Sequence, residues 1–372
     1  MIKYLGSKRA LLPLLVATVR ALDAEAPVRT VADLFSGTAR VGHALKGAGY
    51  RVRANDHNAY AETLARCYVV ADRERHAAKA ERMLRELERL PGRPGWFTAT
   101  YAEQARYFSP ENAARIEAMR AQIEAWAPGP ELRAVLLTSL VEAADRVDST
   151  VGVQMAYLKS WAPRARRPIA LRVPDLLPRA PHGKGSAHGL DAAVAAHRLR
   201  ADVAYLDPPY NQHSYLGNYH VWETLVRWDA PEVYGIACKR VDVQQRKSAF
   251  NSKRLIGEAF DGLVQRCVAE RLVVSFSDEG ALSYEALVTA LQRRGHVTVL
   301  SRGHERYIGH QIGVYNPQGE RVGSPGKARN IEYVFVVTPE PFRGGAALQA
   351  AGHCDAVTQV PPGSLARGVR RG

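Results

Sequence analysis

Cysteine is scarce. Only Cys67, Cys238, Cys267 and Cys354 occur among 372 residues, with no C-x-x-C pair and no histidine at ligand spacing. That argues against a disulfide framework or a structural metal site, and it fits a reducing cytoplasm. Long apolar runs are lacking as well, and none reaches the length of a membrane span. The amino-terminal run from Ala10 to Val19 is interrupted by Pro13 and closed by Arg20, without a small-x-small cleavage site. It reads as an amphipathic helix rather than a secretion signal. Acid is also in deficit: 37 Asp and Glu face 51 Lys and Arg, leaving a formal charge of +14. Such a surplus favours a polyanionic partner, because each neutralised phosphate releases condensed counterion. What remains is ordinary globular composition, 46% apolar and 24% charged, which excludes disorder, collagen and coiled coil as whole-chain descriptions.

The first 60 residues alternate in the α/β manner. A helix is expected at about Arg9–Leu22, a strand at Thr30–Phe35, a helix at Val41–Gly47 and a strand at Arg51–Asn55. From about Tyr60 to Ala144 the chain turns Ala-, Glu- and Arg-rich and helical, with breaks at Pro91-Gly92-Arg93-Pro94 and Pro128-Gly129-Pro130. Ser109-Pro110 is a strong helix start. Pro163–Gly189 reads as strand fragments and loops. Strands return at Val203–Asp207, Leu272–Phe276, Val297–Leu300 and Ile331–Val337, with a helix between Leu282 and Arg293. The expected architecture is an α/β, Rossmann-like sheet domain built from residues 1–60 and 190–338. A mainly helical lobe, 61–189, is inserted in it, and the Gly/Ala/Pro/Arg-rich residues 339–372 are expected to be unstructured.

The chemistry concentrates in Val203-Ala204-Tyr205-Leu206-Asp207-Pro208-Pro209-Tyr210-Asn211. An apolar strand ends there in an acid, two prolines and an aromatic ring, where open α/β sheets place their ligand crevice. The prolines fix two φ angles and remove two donors, leaving a stiff loop of carbonyls beside a carboxylate. Such a loop suits an exocyclic amine, whose lone pair is delocalised into its ring. Acceptors on both N–H groups free that lone pair and stabilise the charge that develops during attack. Asp207 and the Pro208 carbonyl are the candidate acceptors, and Tyr210 can stack on the base. A plain strand-ending turn is the alternative for this tetrapeptide taken alone. The run of polar and aromatic residues that follows, Asn211 to His220, reads instead as a substrate rim.

A second segment, Asp33-Leu34-Phe35-Ser36-Gly37-Thr38-Ala39-Arg40, joins the first expected strand to a helix. Gly37 permits close backbone approach to a ligand. Asn55-Asp56 ends the next strand, where an acid can bind ribose hydroxyls. The glycine spacing is not G-x-G-x-x-G, which favours a single nucleoside-like cofactor over a dinucleotide.

Together these segments resemble the Dam-like, D-P-P-Y type N6-adenine-specific DNA methyltransferases, which include the modification enzymes of restriction systems. Lys3-Tyr4-Leu5-Gly6-Ser7-Lys8-Arg9 is similar to that family's first motif, Asp33–Ala39 to its cofactor motif, and Asp207-Pro208-Pro209-Tyr210 to its catalytic motif. Asn218–Leu225, Ser275–Gly280 and Glu332–Val337 fit its carboxyl half. The resemblance implies S-adenosylmethionine as cofactor and direct methyl transfer to N6 of a flipped adenine in duplex DNA. It implies that Phe35, Ser36, Gly37 and Thr38 line the cofactor site, with Tyr4 and Lys8 near the methionine end, Asp56 on the ribose and Asp191 on the adenine. Ala39 stands where the family usually carries its second glycine, a departure that bears on cofactor affinity.

The inserted segment occupies the place of the family's target-recognition region, and its Arg164, Arg166, Arg167 and Arg172 can track phosphates. Expected DNA contacts also include Asn211, Tyr215, Lys239, Arg240, Arg246, Lys247 and Ser248, with Arg302, Arg306 and Tyr307 extending a basic rim. A cognate restriction endonuclease is an expected partner, and no metal is expected. Cytosine-C5 methylation is disfavoured, since none of the cysteines follows a proline. A zinc deaminase lacks its H-x-E and P-C-x-x-C signature. Methylation of RNA adenine or protein glutamine, and a non-catalytic basic DNA-binding role, remain as alternatives.

Overall fold

A computed structural model of the chain describes residues 1–210, 214–305 and 329–361. Its strands, in chain order, are β1 (Thr30–Asp33), β2 (Arg51–Asn55), β3 (Ser186–His188), β4 (Val203–Leu206), β5 (Val233–Tyr234), β6 (Lys239–Arg240), β7 (Arg271–Ser277), β8 (His296–Glu305), β9 (Arg329–Thr338) and β10 (Ala356–Val360). The fold is mixed α/β, Rossmann-like as expected. The described residues fall into two compact units, one drawn from Met1–Leu12, Arg29–Ala201 and His213–Ser248, the other from Pro13–Val28, Asp202–Gln212 and Ala249–Gly372.

In the first unit β1, β2 and β3 run parallel, with Val31 opposite Val52 and Ala54 opposite Ala187. Val31, Ala32, Val52 and Ala54 are fully buried; β1 is buried from Val31 to Asp33, whereas in β2 the half-buried Arg51 and Arg53 alternate with Val52 and Ala54. Helix Arg40–Gly47 connects β1 to β2. The helix Pro110–Trp126 begins as its sequence dictates: the Ser109 hydroxyl accepts the Asn112 N–H, and Pro110 fills a position with no N–H to satisfy. Helix Pro130–Val147 is buried on nearly every side, which makes it the central helix of this unit.

The helical segment 61–189, expected as an inserted lobe, does not form a compact unit of its own. Cys67, Tyr68, Val69 and Val70 are buried against the central helix, and the Tyr68 hydroxyl donates to Glu142. Lys46, on the helix after β1, donates to the Ala71 carbonyl at 2.8 Å and to Asp72 at 3.0 Å, both buried. Burying these charges without partners would be costly, so the contacts hold the segment to β1–β3.

The second unit is a sheet in the order β10-β8-β9-β7-β4. β4 and β7 are parallel, while β9 runs antiparallel to both β7 and β8. Helix Tyr284–Gln292 is capped by Ser283, whose hydroxyl accepts the Ala286 N–H. The expectation of an unstructured segment from residue 339 is corrected: helix Gly345–Ala350 forms, and β10 pairs antiparallel with β8. Phe342, Leu348 and Cys354 are buried there, and the Gln359 side chain joins Thr298 at 2.9 Å to the Phe342 carbonyl at 2.8 Å. These few apolar anchors, spaced among Gly and Ala, cover the edge of β8. Residues 362–372 lie outside the described residues. Among those described, no helix is long and apolar enough to cross a membrane.

Candidate active site

In the second unit, β4 is buried along its whole length, and Asp207 follows at its carboxyl end. The Ser275 hydroxyl, on the adjacent β7, donates to Asp207 Oδ1 at 2.9 Å. The Tyr205 hydroxyl lies 2.8 Å from the same Ser275 oxygen. A serine hydroxyl has one proton, and Ser275 spends it on Asp207, so Tyr205 is the donor to Ser275. The result is a buried chain, Tyr205 to Ser275 to Asp207, that fixes one carboxylate oxygen and orients the other. Beyond the two prolines, the Tyr210 carbonyl accepts the Ala281 N–H at 2.9 Å, and its ring centroid lies 5.2 Å from that of Phe276. Phe276 is held in turn by Gly280, where any side chain would strike its ring. The Asp207–Tyr210 loop is thus tied at both ends to β7 and the turn after it.

Neither Tyr205 nor Ser275 was expected at the site. The available signal was a lone hydroxyl, Ser275, inside the apolar run Leu272–Phe276, and a tyrosine inside β4. A buried polar group needs a partner, and here the partner is the candidate catalytic acid.

In the first unit the expected cofactor residues converge at the carboxyl ends of β1, β2 and β3. Asn55 is the knot: its Nδ2 donates to the Leu34 carbonyl at 3.2 Å and the Leu190 carbonyl at 3.1 Å, while its Oδ1 accepts the Leu190 N–H at 3.0 Å. Asp56 Oδ2 accepts the Gly37 N–H at 3.0 Å, and its Oδ1 accepts both the backbone and side-chain N–H groups of Asn58. Asp191 caps helix Ala192–Arg198 by accepting the Ala193 N–H, and its side chain is exposed. Phe35, Ser36, Gly37, Thr38, Asp56 and Asp191 are therefore brought together.

Gly37 adopts φ 50°, and a Cβ there would fall 3.3 Å from the Tyr4 ring, so glycine keeps this turn both unstrained and bare. Ala39 is also left-handed, at φ 59°. That is the physical reason a glycine suits the position where this chain carries alanine.

Tyr4 sits between Tyr215 and Tyr219 in a three-ring stack, with centroid separations of 5.2 and 4.6 Å. Its hydroxyl is 3.2 Å from that of Tyr60, and the Tyr219 hydroxyl accepts the Leu5 N–H at 2.7 Å. Burial pushes both phenols up; the Tyr60 hydroxyl and Asp56 raise Tyr4 further, while Asp56 raises Tyr60 and its hydrogen bond with Tyr4 offsets part of that rise, so both stay neutral. Lys8 is buried at the head of the turn Lys8–Leu11.

The expected DNA contacts divide. Lys239 and Lys247 show no carboxylate partner among the described residues, and Lys247 is exposed. Tyr215 belongs to the stack on Tyr4. Arg246 donates to Glu223 at 2.8 Å and to the His57 carbonyl at 3.1 Å. Arg240 is a correction. Its side chain is 2% exposed and its guanidinium is spent on Asp229, Asp242 and Thr224, so it braces the fold and is withheld from phosphate. Arg164 is likewise engaged by Asp148 and the Thr150 carbonyl. Asn211, Arg306 and Tyr307 lie outside the described residues.

An α/β fold carrying a bare glycine turn, a strand-end acid and a stiff Asp-Pro-Pro-Tyr loop is that of a methyltransferase. The model of the D12 class N6 adenine-specific DNA methyltransferases matches residues 4–277, and the chain belongs to that family. Among curated relatives, the chain is 28% identical over 309 residues to type II methyltransferase M.FokI of Planomicrobium okeanokoites, covering 79% of this chain and 47% of that protein. It is 30% identical over 283 residues to type II methyltransferase M.NlaIII of Neisseria lactamica, covering 74% of this chain and 83% of that one. Type II methyltransferase M.CviAII of Paramecium bursaria Chlorella virus 1 is 28% identical over 286 residues, again covering 83% of its length. The chain thus spans about half of the first relative and most of the other two.

Proposed function

We propose that this chain transfers a methyl group from S-adenosylmethionine directly to N6 of a flipped adenine at a defined site in duplex DNA. The observation that carries the proposal is the orientation of Asp207 by a buried hydroxyl chain at the head of a doubly proline-stiffened loop. When bound, S-adenosylmethionine supplies an electrophilic methyl on a sulfonium. The residues of the first unit fit such a group: the bare turn at Gly37 leaves room for close approach, and Asp56 keeps acceptor capacity for a ribose hydroxyl after accepting the Gly37 N–H and both N–H groups of Asn58. Asp191 would take the adenine end, and Tyr4 and Lys8 the methionine end, with Phe35, Ser36 and Thr38 lining the turn.

Asp207 accepts one N–H of the target amine and the Pro208 carbonyl accepts the other, drawing the nitrogen toward tetrahedral geometry. The new N–C bond would form as the methyl group's bond to sulfur breaks, that electron pair staying on sulfur; the carboxylate sits opposite the growing positive charge and takes the proton the nitrogen sheds. Tyr210 stacks on the extruded base, with Phe276 backing its ring. No covalent protein intermediate is needed, so the absence of a proline-preceded cysteine costs this chemistry nothing.

Within this reading residues 61–189 contribute target recognition, the enzyme works in the cytoplasm, and a cognate endonuclease is its partner. The test is tritium transfer from labelled S-adenosylmethionine into duplex DNA, RNA and protein. Label recovered as N6-methyladenine in DNA supports the proposal; label in RNA or glutamine, or in no acceptor at all, refutes it. Asp207→Ala should abolish transfer, by at least about a thousandfold, while DNA binding persists, because the loss falls on the transition state. Near-normal turnover in that variant would refute the assignment of the acceptor.

A further inference from the structure

Three apolar side chains in the first unit are presented to solvent by backbone that is held in place. Ile236 is 83% exposed, Val151 79% and Met155 48%. Single exposed apolar residues are ordinary. These stand on two loops tied to one buried atom. The Tyr107 hydroxyl lies 2.8 Å from the carbonyl of Gln154, next to Met155, and 3.0 Å from the carbonyl of Ala237, next to Ile236. It shares its one proton between them, so both tips are fixed from below at the same point.

Each loop is clamped elsewhere too. The first is closed by the Leu158 N–H to the Ser149 carbonyl at 2.9 Å, and the Gln154 amide oxygen accepts the Val221 N–H at 2.9 Å. The second is the turn between β5 and β6, whose base is Arg240 in its cage of Asp229 and Asp242. Backbone pinned this firmly displays its apolar tips without a further loss of conformational freedom on binding.

The surrounding charge identifies what the tips meet. Lys159 follows the first loop in the chain and Lys239 closes the second; Arg166 and Arg167 are exposed on the turn whose Arg164 holds Asp148 at the start of the first loop, and none of the four has a carboxylate partner among the described residues. Apolar tips within a basic rim match a duplex: cations to phosphates, and Met and Ile side chains to the interior of a base step. We propose that Ile236 and Met155 form a rigid wedge that enters the DNA duplex and holds open the stack from which the target base is extruded. Unstacking costs a few kcal/mol per step, and burying apolar side chains between bases offsets it. The inference rests on duplex DNA being the substrate.

The experiment uses the full chain and a duplex oligonucleotide carrying the site that sequencing of DNA from expressing cells reveals. The same duplex with an abasic position opposite the target adenine is the second probe, since there the unpairing cost is already met. Ile236→Ser, Met155→Ser and the double variant alter exposed side chains and leave the fold alone. Binding and single-turnover transfer to the paired duplex should fall about tenfold for each side chain. The loss should shrink on the abasic duplex, and the salt slope should stay unchanged because no phosphate contact is removed. Tyr107→Phe, which keeps both tips but removes the tie they share, should reproduce part of the same discrimination. Unchanged affinity and rate, an equal loss on both duplexes, or a change in oligomeric mass on sedimentation would each overturn the wedge. Failure of the unaltered protein to methylate any DNA would instead refute the underlying reading.

Discussion

Ser275 offers the sharpest test of how the site works. Removing its hydroxyl in Ser275→Ala takes from Asp207 Oδ1 a donor at 2.9 Å and from Tyr205 an acceptor at 2.8 Å, while the strand keeps its backbone pairing. Hydrogen bonds to charged groups contribute about 1.5–3 kcal/mol. If that energy serves to aim the carboxylate at the amine, kcat falls about ten- to a hundredfold and KM for DNA is unmoved. Ser275→Thr, which restores the hydroxyl, should recover part of the rate. The double variant Ser275→Ala/Tyr205→Phe separates positioning from mere folding. Removing both hydroxyls should recover part of any stability lost in Ser275→Ala, but none of its turnover. Single-turnover methyl transfer and urea unfolding measure the two quantities side by side. A rate that recovers together with stability, or a Tyr205→Phe defect larger than that of Ser275→Ala, would refute a hydroxyl chain that ends in orienting Asp207.

Two further predictions concern stability. At Ala39 the left-handed backbone costs an L-residue about 1–2 kcal/mol, and its buried methyl returns roughly 0.8 kcal/mol. Ala39→Gly should therefore shift urea stability by less than about 1 kcal/mol, whereas Ala39→Val, β-branched and buried at the same φ, should lose more than about 2 kcal/mol. His220 is fully buried, and that burial lowers its pKa from 6.5 to about 3, opposed in part by the Gln154 carbonyl that accepts its Nε2–H. A group whose folded pKa is depressed favours the fold fully above 6.5 and loses that contribution as pH falls toward 3. Stability should decline over that window by up to about 4 kcal/mol, and the slope should flatten in His220→Gln. A wild-type curve that is level from pH 7 to pH 4 would contradict the assignment.

Much of this protein was legible in linear order because local physics decides it. Val203–Leu206 reads as a buried strand, Asp207-Pro208-Pro209-Tyr210 as a stiff loop with an acid at its head, and Ser109-Pro110 as a helix start. None of these requires a distant residue. Gly37 and Asp56 were legible for the same reason, since each follows a short strand. Tertiary structure decided which polar groups are spent and which remain available. Arg240 looked like a phosphate ligand in a basic run, yet Asp229 and Asp242 neutralise it in the interior, which only the turn between β5 and β6 could arrange. Ser275 stands 68 residues from Asp207, and Asn55 135 from Leu190, so their hydrogen bonds exist only once the strands are paired. The segment after Pro339 carries too few apolar residues to signal order, and it folds because β8 offers an open edge. Sequence specifies the chemical groups and their local conformation; their partners, and hence their charge and reach, depend on what the chain brings beside them.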